Sequence, residues 1–334
     1  MKICVVGAGA IGGFVAMKFA AAGHEVSVVI RGAHLEAVRT EGMTLVAEDG
    51  TRITQRLIAT DRIADLPTQD VVILGMKAHQ VAPVATEMPS LLDAQTIVVS
   101  MQNGIPWWYF KKHGGTYEGK IIEAVDPGGV ISKHIPADAV IGSIAYPACE
   151  MEAPGVVRHV EGNRFPLGEI DGADTPRVRA LAGAFRTAGF KTPILSDIRS
   201  EIWLKLWGNV SFNPISALTH ATLQAICEYG PTRELARIMM LEAQAVGAKL
   251  GVAFKVDVER RINGAQAIGQ HKTSMLQDVE VGRQLELDAL VRSVIELGQL
   301  TATPTPTVAQ VYALASLLAR TLVEQKGRLR IEPV

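Results

Sequence analysis

The sequence predicts an α/β fold in which a mostly parallel-sheet domain is followed by a mainly α-helical one, and three observations carry that reading. A glycine-rich turn follows an apolar strand at the start of the chain. Short apolar runs then alternate with helical segments to about residue 197, and long helical patterns dominate from residue 198. At about 150 residues per domain, 334 residues agree with two domains. They are placed at 1–197 and 198–328, with a cleft expected between them.

Residues 3–6 are strand-like, Gly7 to Gly13 form a glycine turn, 14–22 continue with helical character, and 26–30 read as a second parallel strand. Within that β-turn-α-β opening, Gly7-Ala8-Gly9-Ala10-Ile11-Gly12 fits GxGxxG directly after a strand. Small residues permit the turn and the close approach of a diphosphate, while backbone amides and the helix dipole attract its charge. The first domain is therefore Rossmann-like and dinucleotide-binding. The second strand ends at Ile30-Arg31-Gly32, without an acidic residue at its tip. A carboxylate there would bind the ribose diol of NAD and repel an added 2′-phosphate, whereas Arg31 pairs with that phosphate, so NADP is favoured over NAD.

A third apolar run, 71–74, leads into Gly75-Met76-Lys77, and a fourth, 96–100, into Met101-Gln102-Asn103-Gly104. Strands separated by helices in this way place ligands at the carboxyl edge of a parallel sheet. Lys77 stands either beside cofactor phosphates or ribose, or as an ordinary surface lysine. Beyond residue 105 the texture changes to short mixed segments, and 158–168 suits another strand and turn.

Helical patterns cover 198–214, 232–250, 274–298 and 308–324, with Pro304 and Pro306 in a connection. In the first, Lys205, Asn209 and Asn213 recur every four residues and share a face, while Trp203, Leu206 and Phe212 pack elsewhere. If that face lines the cleft, Lys205 donates a proton or stabilises an alkoxide and the asparagines position carbonyl and carboxylate oxygens. Facing water, it is an ordinary polar helix surface. Along 274–298, Ser274, Asp278 and Glu286 fall on one face of a continuous helix. Ser274 suits a carboxylate, Glu286 a substrate hydroxyl or a lysine network, and Asp278 a cap or ion pair.

Composition excludes several functions. The chain is 48% hydrophobic and 20% charged, which supports a substantial core. Lys plus Arg total 33 against 34 Asp plus Glu, so no global field gathers a polyanion and nucleic acid is not the expected partner. Eight scattered histidines form no ligand motif, so no metal is expected. Cys4, Cys149 and Cys227 are widely separated, which reads as a reducing compartment. No signal-peptide pattern or apolar stretch of membrane-spanning length is visible, so the expectation is a cytoplasmic protein without a membrane partner. The apolar helices, 308–322 above all, suit either a homodimer or packing within the chain.

The ordered combination of the glycine turn, Gln102-Asn103-Gly104, the segment from Trp203-Leu204-Lys205-Leu206 to Asn213, and Ser274-Met275-Leu276-Gln277-Asp278 through Glu286-Leu287-Asp288 resembles the ketopantoate reductase (2-dehydropantoate 2-reductase) family over nearly the whole chain. The resemblance implies NADPH-dependent reduction of 2-dehydropantoate to (R)-pantoate, in cytoplasmic pantothenate biosynthesis. It makes Lys205 the general acid and Glu286 both a catalytic and a substrate-binding carboxylate. It gives Asn103 a part in positioning both cofactor and substrate, and Asn209, Asn213 and Ser274 a part in orienting the substrate. Gly7, Ala8, Gly9, Ala10, Ile11, Gly12, Arg31 and Lys77 fall at cofactor positions. Two features depart from the family pattern: the cluster Trp107-Trp108-Tyr109-Phe110 beside the Asn103 loop, and Leu285 where a polar residue usually precedes the glutamate. The cluster suits a narrowed or covered pocket, recognition of a different acid, or packing between domains. The alternatives are an NADP-dependent reductase or dehydrogenase of another small 2-oxo or 2-hydroxy acid, and a non-catalytic NADP sensor.

Overall fold

The computed structural model describes residues 1–327, so residue 328, the expected end of the second domain, lies outside the described residues. The chain forms two compact units. The first comprises Met1–Ile121 and Asp126–Ile198, and the second comprises Ile122–Val125 together with the chain from Arg199 onward.

The strands of the first unit are β1 (Lys2–Val6), β2 (Glu25–Val29), β3 (Met43–Val46), β4 (Arg52–Gln55), β5 (Ile58–Thr60), β6 (Val71–Leu74), β7 (Ile97–Ser100), β8 (Val140–Ser143), β9 (Ala148–Ala153), β10 (Val156–Glu161) and β11 (Leu167–Glu169). Its helices are α1 (Ala10–Ala21), α2 (Gly32–Glu41), α3 (Val130–His134) and α4 (Pro176–Thr187). Seven strands make one sheet in the order β11-β8-β7-β6-β1-β2-β5, parallel throughout except for β11 against β8. Every residue of β6 and β7 is buried, the burial expected when a parallel sheet is covered on both faces.

A second sheet, β4-β3-β10-β9, was not anticipated from the sequence. It explains why α1 is apolar nearly all round: the helix packs on β1 and β2 on one side and on β3, β9 and β10 on the other. Gly13 makes this possible, because a Cβ there would stand 2.7 Å from Val157 Cγ2. The helix begins at Ala10, so the glycine turn is shorter than the expected 7–13 and Gly12 and Gly13 are helical.

Trp107, Trp108, Tyr109 and Phe110 are all buried, the last three completely. Trp108 lies on Gly142 of β8, whose missing Cβ would stand 2.9 Å from the indole ring, and Phe110 meets Tyr109 and His113 edge to face. The aromatic cluster is core packing of the first unit, with no exposed ring surface to recognise an acid.

The second unit is helical: α5 (Ile198–Thr219, its first residue counted with the other unit), α6 (Leu223–Glu228), α7 (Gly230–Lys249), α8 (Val258–Ala267), α9 (Ser274–Glu280), α10 (Ser293–Leu300) and α11 (Pro306–Glu324). The chain does not stop at Pro214 as expected: α5 runs through it to Thr219, giving up the one backbone N–H that proline lacks. The single helix expected over 274–298 is also corrected. Gly282 adopts φ +65°, its N–H donates to Val279 O at 3.1 Å, and Arg283 N–H donates to Asp278 O at 2.8 Å. This pair of bonds is a Schellman stop, and it ends α9. The chain resumes as a π-helical turn, Asp288–Arg292, that continues into α10.

Helix α11 has 19 residues with mean hydropathy 1.2, long and apolar enough to cross a membrane by length and composition, which the sequence reading did not find. Only 22% of that apolar stretch is buried: Val308, Val311, Ala315 and Leu322 are buried, whereas Leu314, Leu317 and Val323 are exposed.

Candidate active site

In the first unit, the sequence-predicted cofactor residues gather at the carboxyl ends of β1, β2, β6 and β7. Gly7 has φ +88°, and a Cβ there would stand 2.6 Å from Met76 Cβ. One at Gly75 would stand 2.7 Å from Gly7 O and 2.9 Å from Gly12 Cα. The turns after β1 and β6 thus interlock through glycines that admit no side chain. Gly9 differs: nothing lies within 4 Å of its missing Cβ. It is also the N-cap of α1, with no side-chain cap and no acidic residue in the first turn. An open glycine before uncapped helical amides is the cradle a diphosphate requires, and Ala8, Ala10 and Ile11 complete the turn around it.

Arg31 is the extended, exposed N-cap of α2, just beyond β2. Lys77 follows β6, and its backbone N–H donates to Gln80 Oε1 at 3.1 Å. Asn103 lies in the turn after β7, and that turn is fixed by Gln102, a residue to which the sequence reading gave no role. Gln102 Nε2 donates to Leu74 O at 2.6 Å, and its Oε1 accepts from Ser100 Oγ at 2.9 Å. One amide thereby joins the ends of β6 and β7 and holds Asn103 at the same edge as the glycine turn.

In the second unit, Lys205, Asn209 and Asn213 follow one another at helical spacing on α5. Lys205 retains some surface, but packing around its amine strips hydration from the ammonium and lowers its pKa from 10.5 to about 8; the Glu286 carboxylate opposes that shift. Asn213 is buried and its Nδ2 approaches Ser274 Oγ at 3.5 Å, at the start of α9. Asp278 is buried one turn further along α9. Glu286 does not share that helix face, because the Gly282 stop intervenes; it comes within electrostatic reach of Lys205 from the segment before the π-helical turn. Arg261 of α8 was not singled out from the sequence. Its guanidinium fills the space a Cβ would take at Gly208, between Lys205 and Asn209, with Cζ 3.2 Å from that position. A glycine inside a helix was the signal that something packs closely there.

Other chemistries find less support. Burial pushes the Cys4 and Cys149 thiols up to about 12 and raises that of Cys227, so none is poised as a thiolate nucleophile. No group of three or more metal-binding side chains occurs among the described residues.

Residues 3–172 match the family described as ketopantoate reductase PanE/ApbA, and residues 197–319 match its C-terminal region. A 2-dehydropantoate 2-reductase of Mesorhizobium japonicum is 54% identical over 320 residues, covering 96% of this chain and 98% of the relative. A solved Ralstonia solanacearum structure, provisionally described as a ketopantoate reductase, is 39% identical with TM-score 0.92, covering 96% of this chain and 98% of that one. The fold is also that of a D-mandelate dehydrogenase solved with NADH and anilino(oxo)acetate, at 20% identity and TM-score 0.83, covering 97% of this chain and 100% of that one.

Proposed function

The chain belongs to the ketopantoate reductase family, and from that premise we propose that it is an NADPH-dependent 2-dehydropantoate 2-reductase forming (R)-pantoate. The observation that carries the reading is Lys205, desolvated on α5 with Glu286 in electrostatic reach. Residues 1–197 hold the cofactor, and residues 198–328 supply the acid and the substrate contacts.

The amides from Gly7 through Ala8, Gly9, Ala10 and Ile11 to Gly12 take the diphosphate, and Arg31 and Lys77 take the phosphorylated ribose. Bound NADPH supplies the hydride for the carbonyl carbon. Lys205, still mostly protonated at neutral pH with a pKa of about 8, donates its proton to the carbonyl oxygen as negative charge develops there. Because burial has weakened its hold on that proton, the same amine also serves as base in the reverse reaction. Glu286 keeps the ammonium charged and accepts a substrate hydroxyl. Asn209, Asn213 and Ser274 orient the substrate oxygens, and Asn103 positions substrate against cofactor.

The test follows NADPH oxidation with 2-dehydropantoate, with matched NADH and other small 2-oxo-acid reactions. Efficient NADPH-dependent formation of (R)-pantoate is expected. Turnover of another acid alone would overturn the substrate, and binding without turnover would make the protein a sensor. Reduction of a different 2-oxo acid is favoured by one feature, the buried Leu285 directly before Glu286, and the same panel decides it. The reading also has the protein act in the cytoplasm, tested by fractionation. It further takes the protein to be a homodimer, supported by Leu314 and Leu317 exposed on α11 and tested by sedimentation velocity.

A further inference from the structure

We propose that His34 is a positioning residue for the dinucleotide, holding the glycine turn in the shape that binds a diphosphate. The inference rests on the dinucleotide reading above. His34 lies in the first turn of α2, three residues after Arg31. Gly155 N–H donates to its Nδ1 at 2.8 Å, and its Nε2 lies 2.9 Å from Ala8 O. A backbone N–H only donates and a carbonyl only accepts, so the ring is the neutral tautomer with its proton on Nε2, and it donates to Ala8.

Ala8 is the residue between Gly7 and Gly9. In a trans peptide the carbonyl and the next N–H point in opposite directions. Drawing the Ala8 carbonyl toward His34 therefore turns the Gly9 N–H away from the imidazole. If that peptide flipped, carbonyl lone pairs would replace an amide donor beside the phosphate. Gly7 is held independently, by its N–H donating to Val29 O at 3.0 Å and by its close approach to Met76. Without His34, the peptide between Ala8 and Gly9 loses this side-chain anchor.

The same ring reaches a third element. Gly155 stands in the turn between β9 and β10 with φ +79°, and its missing Cβ would lie 3.1 Å from Ala37 Cβ on α2. His34 thus joins the second sheet, the start of α2 and the glycine turn. It keeps Arg31, placed for the 2′-phosphate, in register with the amides placed for the diphosphate. It is itself neither a phosphate ligand nor part of the proton transfer.

The experiment compares His34→Ala and His34→Gln with the wild type, measuring NADPH affinity by calorimetry, steady-state kinetics with the 2-oxo acid and melting temperature. Two hydrogen bonds at the usual net strength convert to about 5- to 160-fold weaker NADPH binding for His34→Ala. At saturating NADPH, kcat and the KM for the acid stay within about twofold, as expected for lost uniform binding. The Gln variant, whose amide can donate to Ala8 and accept from Gly155, recovers most of the affinity. Equal NADPH affinity in wild type and His34→Ala overturns the inference alone. So does a parallel loss of kcat, affinity and melting temperature that Gln does not relieve, since that is a folding role. Failure of the wild type to bind NADPH or NADH overturns the dinucleotide reading, and this inference with it.

Discussion

Lys205 answers to two opposed influences: burial favours its neutral amine, the Glu286 carboxylate favours its ammonium, and burial is the larger. With the folded pKa near 8 and the ordinary value 10.5, the folded protein releases this proton before the unfolded chain does, so the group's contribution to stability improves as pH rises through that window. Below it, the buried charge is a cost. Lys205→Met should therefore lower kcat by about 10²- to 10⁴-fold while melting above the wild type at pH 7, a pairing that activity assays and calorimetry check together. If protonated Lys205 is the acid, kcat falls as pH rises past about 8, and Glu286→Gln, by removing the opposing charge, moves that limb to lower pH. An unmoved limb would mean that another group titrates. At the cofactor edge, Arg31→Asp should reverse the preference toward NADH, costing NADPH affinity at least about tenfold, as direct titration of both nucleotides would show. The spacing of Lys205, Asn209 and Asn213 made their common face legible. Arg261 and His34 were not, because each matters through a contact far away in sequence.

Elements were legible where their burial is simple. β6 was read to the residue because a strand buried on both faces is an unbroken apolar run, while β4 is mostly exposed and β9 is without a fully buried residue, so neither stands out as a strand. The expected long helix over 274–298 failed because one left-handed glycine overrides helical patterning on either side of it, and that stop redirects Glu286. A different device secures the far edge of the large sheet. Glu169 of β11 is buried and takes a bidentate pair from Arg177 of α4, at 2.7 and 2.5 Å, along with the Thr175 hydroxyl at the helix N-cap. Removing Arg177 strands the buried Glu169 carboxylate, so Arg177→Met should cost about 3–5 kcal/mol by urea denaturation. The double variant Glu169→Met, Arg177→Met removes both charges and should recover most of the loss. Equal losses in both would mean that hydrogen bonds, and not the stranded charge, dominate.

At the scale of the whole molecule, a net charge of -1 gives no broad field, so on the function proposed above recognition of an anionic cofactor and acid would fall to local groups such as Arg31, Lys77 and Lys205. By their internal contacts the units part between Ile198 and Arg199, beside the change of sequence texture near residue 198. The brief excursion of Ile122–Val125 into the second unit was not legible, since four residues carry no periodicity. Besides burial of Ile122, Ala124 and Val125, that excursion is held by Glu296 of α10, whose carboxylate accepts the backbone N–H groups of Glu123 and Ala124 at 2.7 and 2.8 Å. The chain therefore passes between units three times, and unfolding one unit pulls on a segment anchored in the other. Hydrogen bonds to a charged acceptor contribute about 1.5–3 kcal/mol each, enough to couple two units of ordinary marginal stability. Glu296→Ala removes both bonds and leaves the segment held by its buried side chains, Ile122, Ala124 and Val125. If the two bonds couple the units, scanning calorimetry should separate their transitions further in the variant than in the wild type, with the first unit's transition still raised by NADPH. A single transition in the variant, merely shifted downward, would show that the units are coupled by something other than these two bonds.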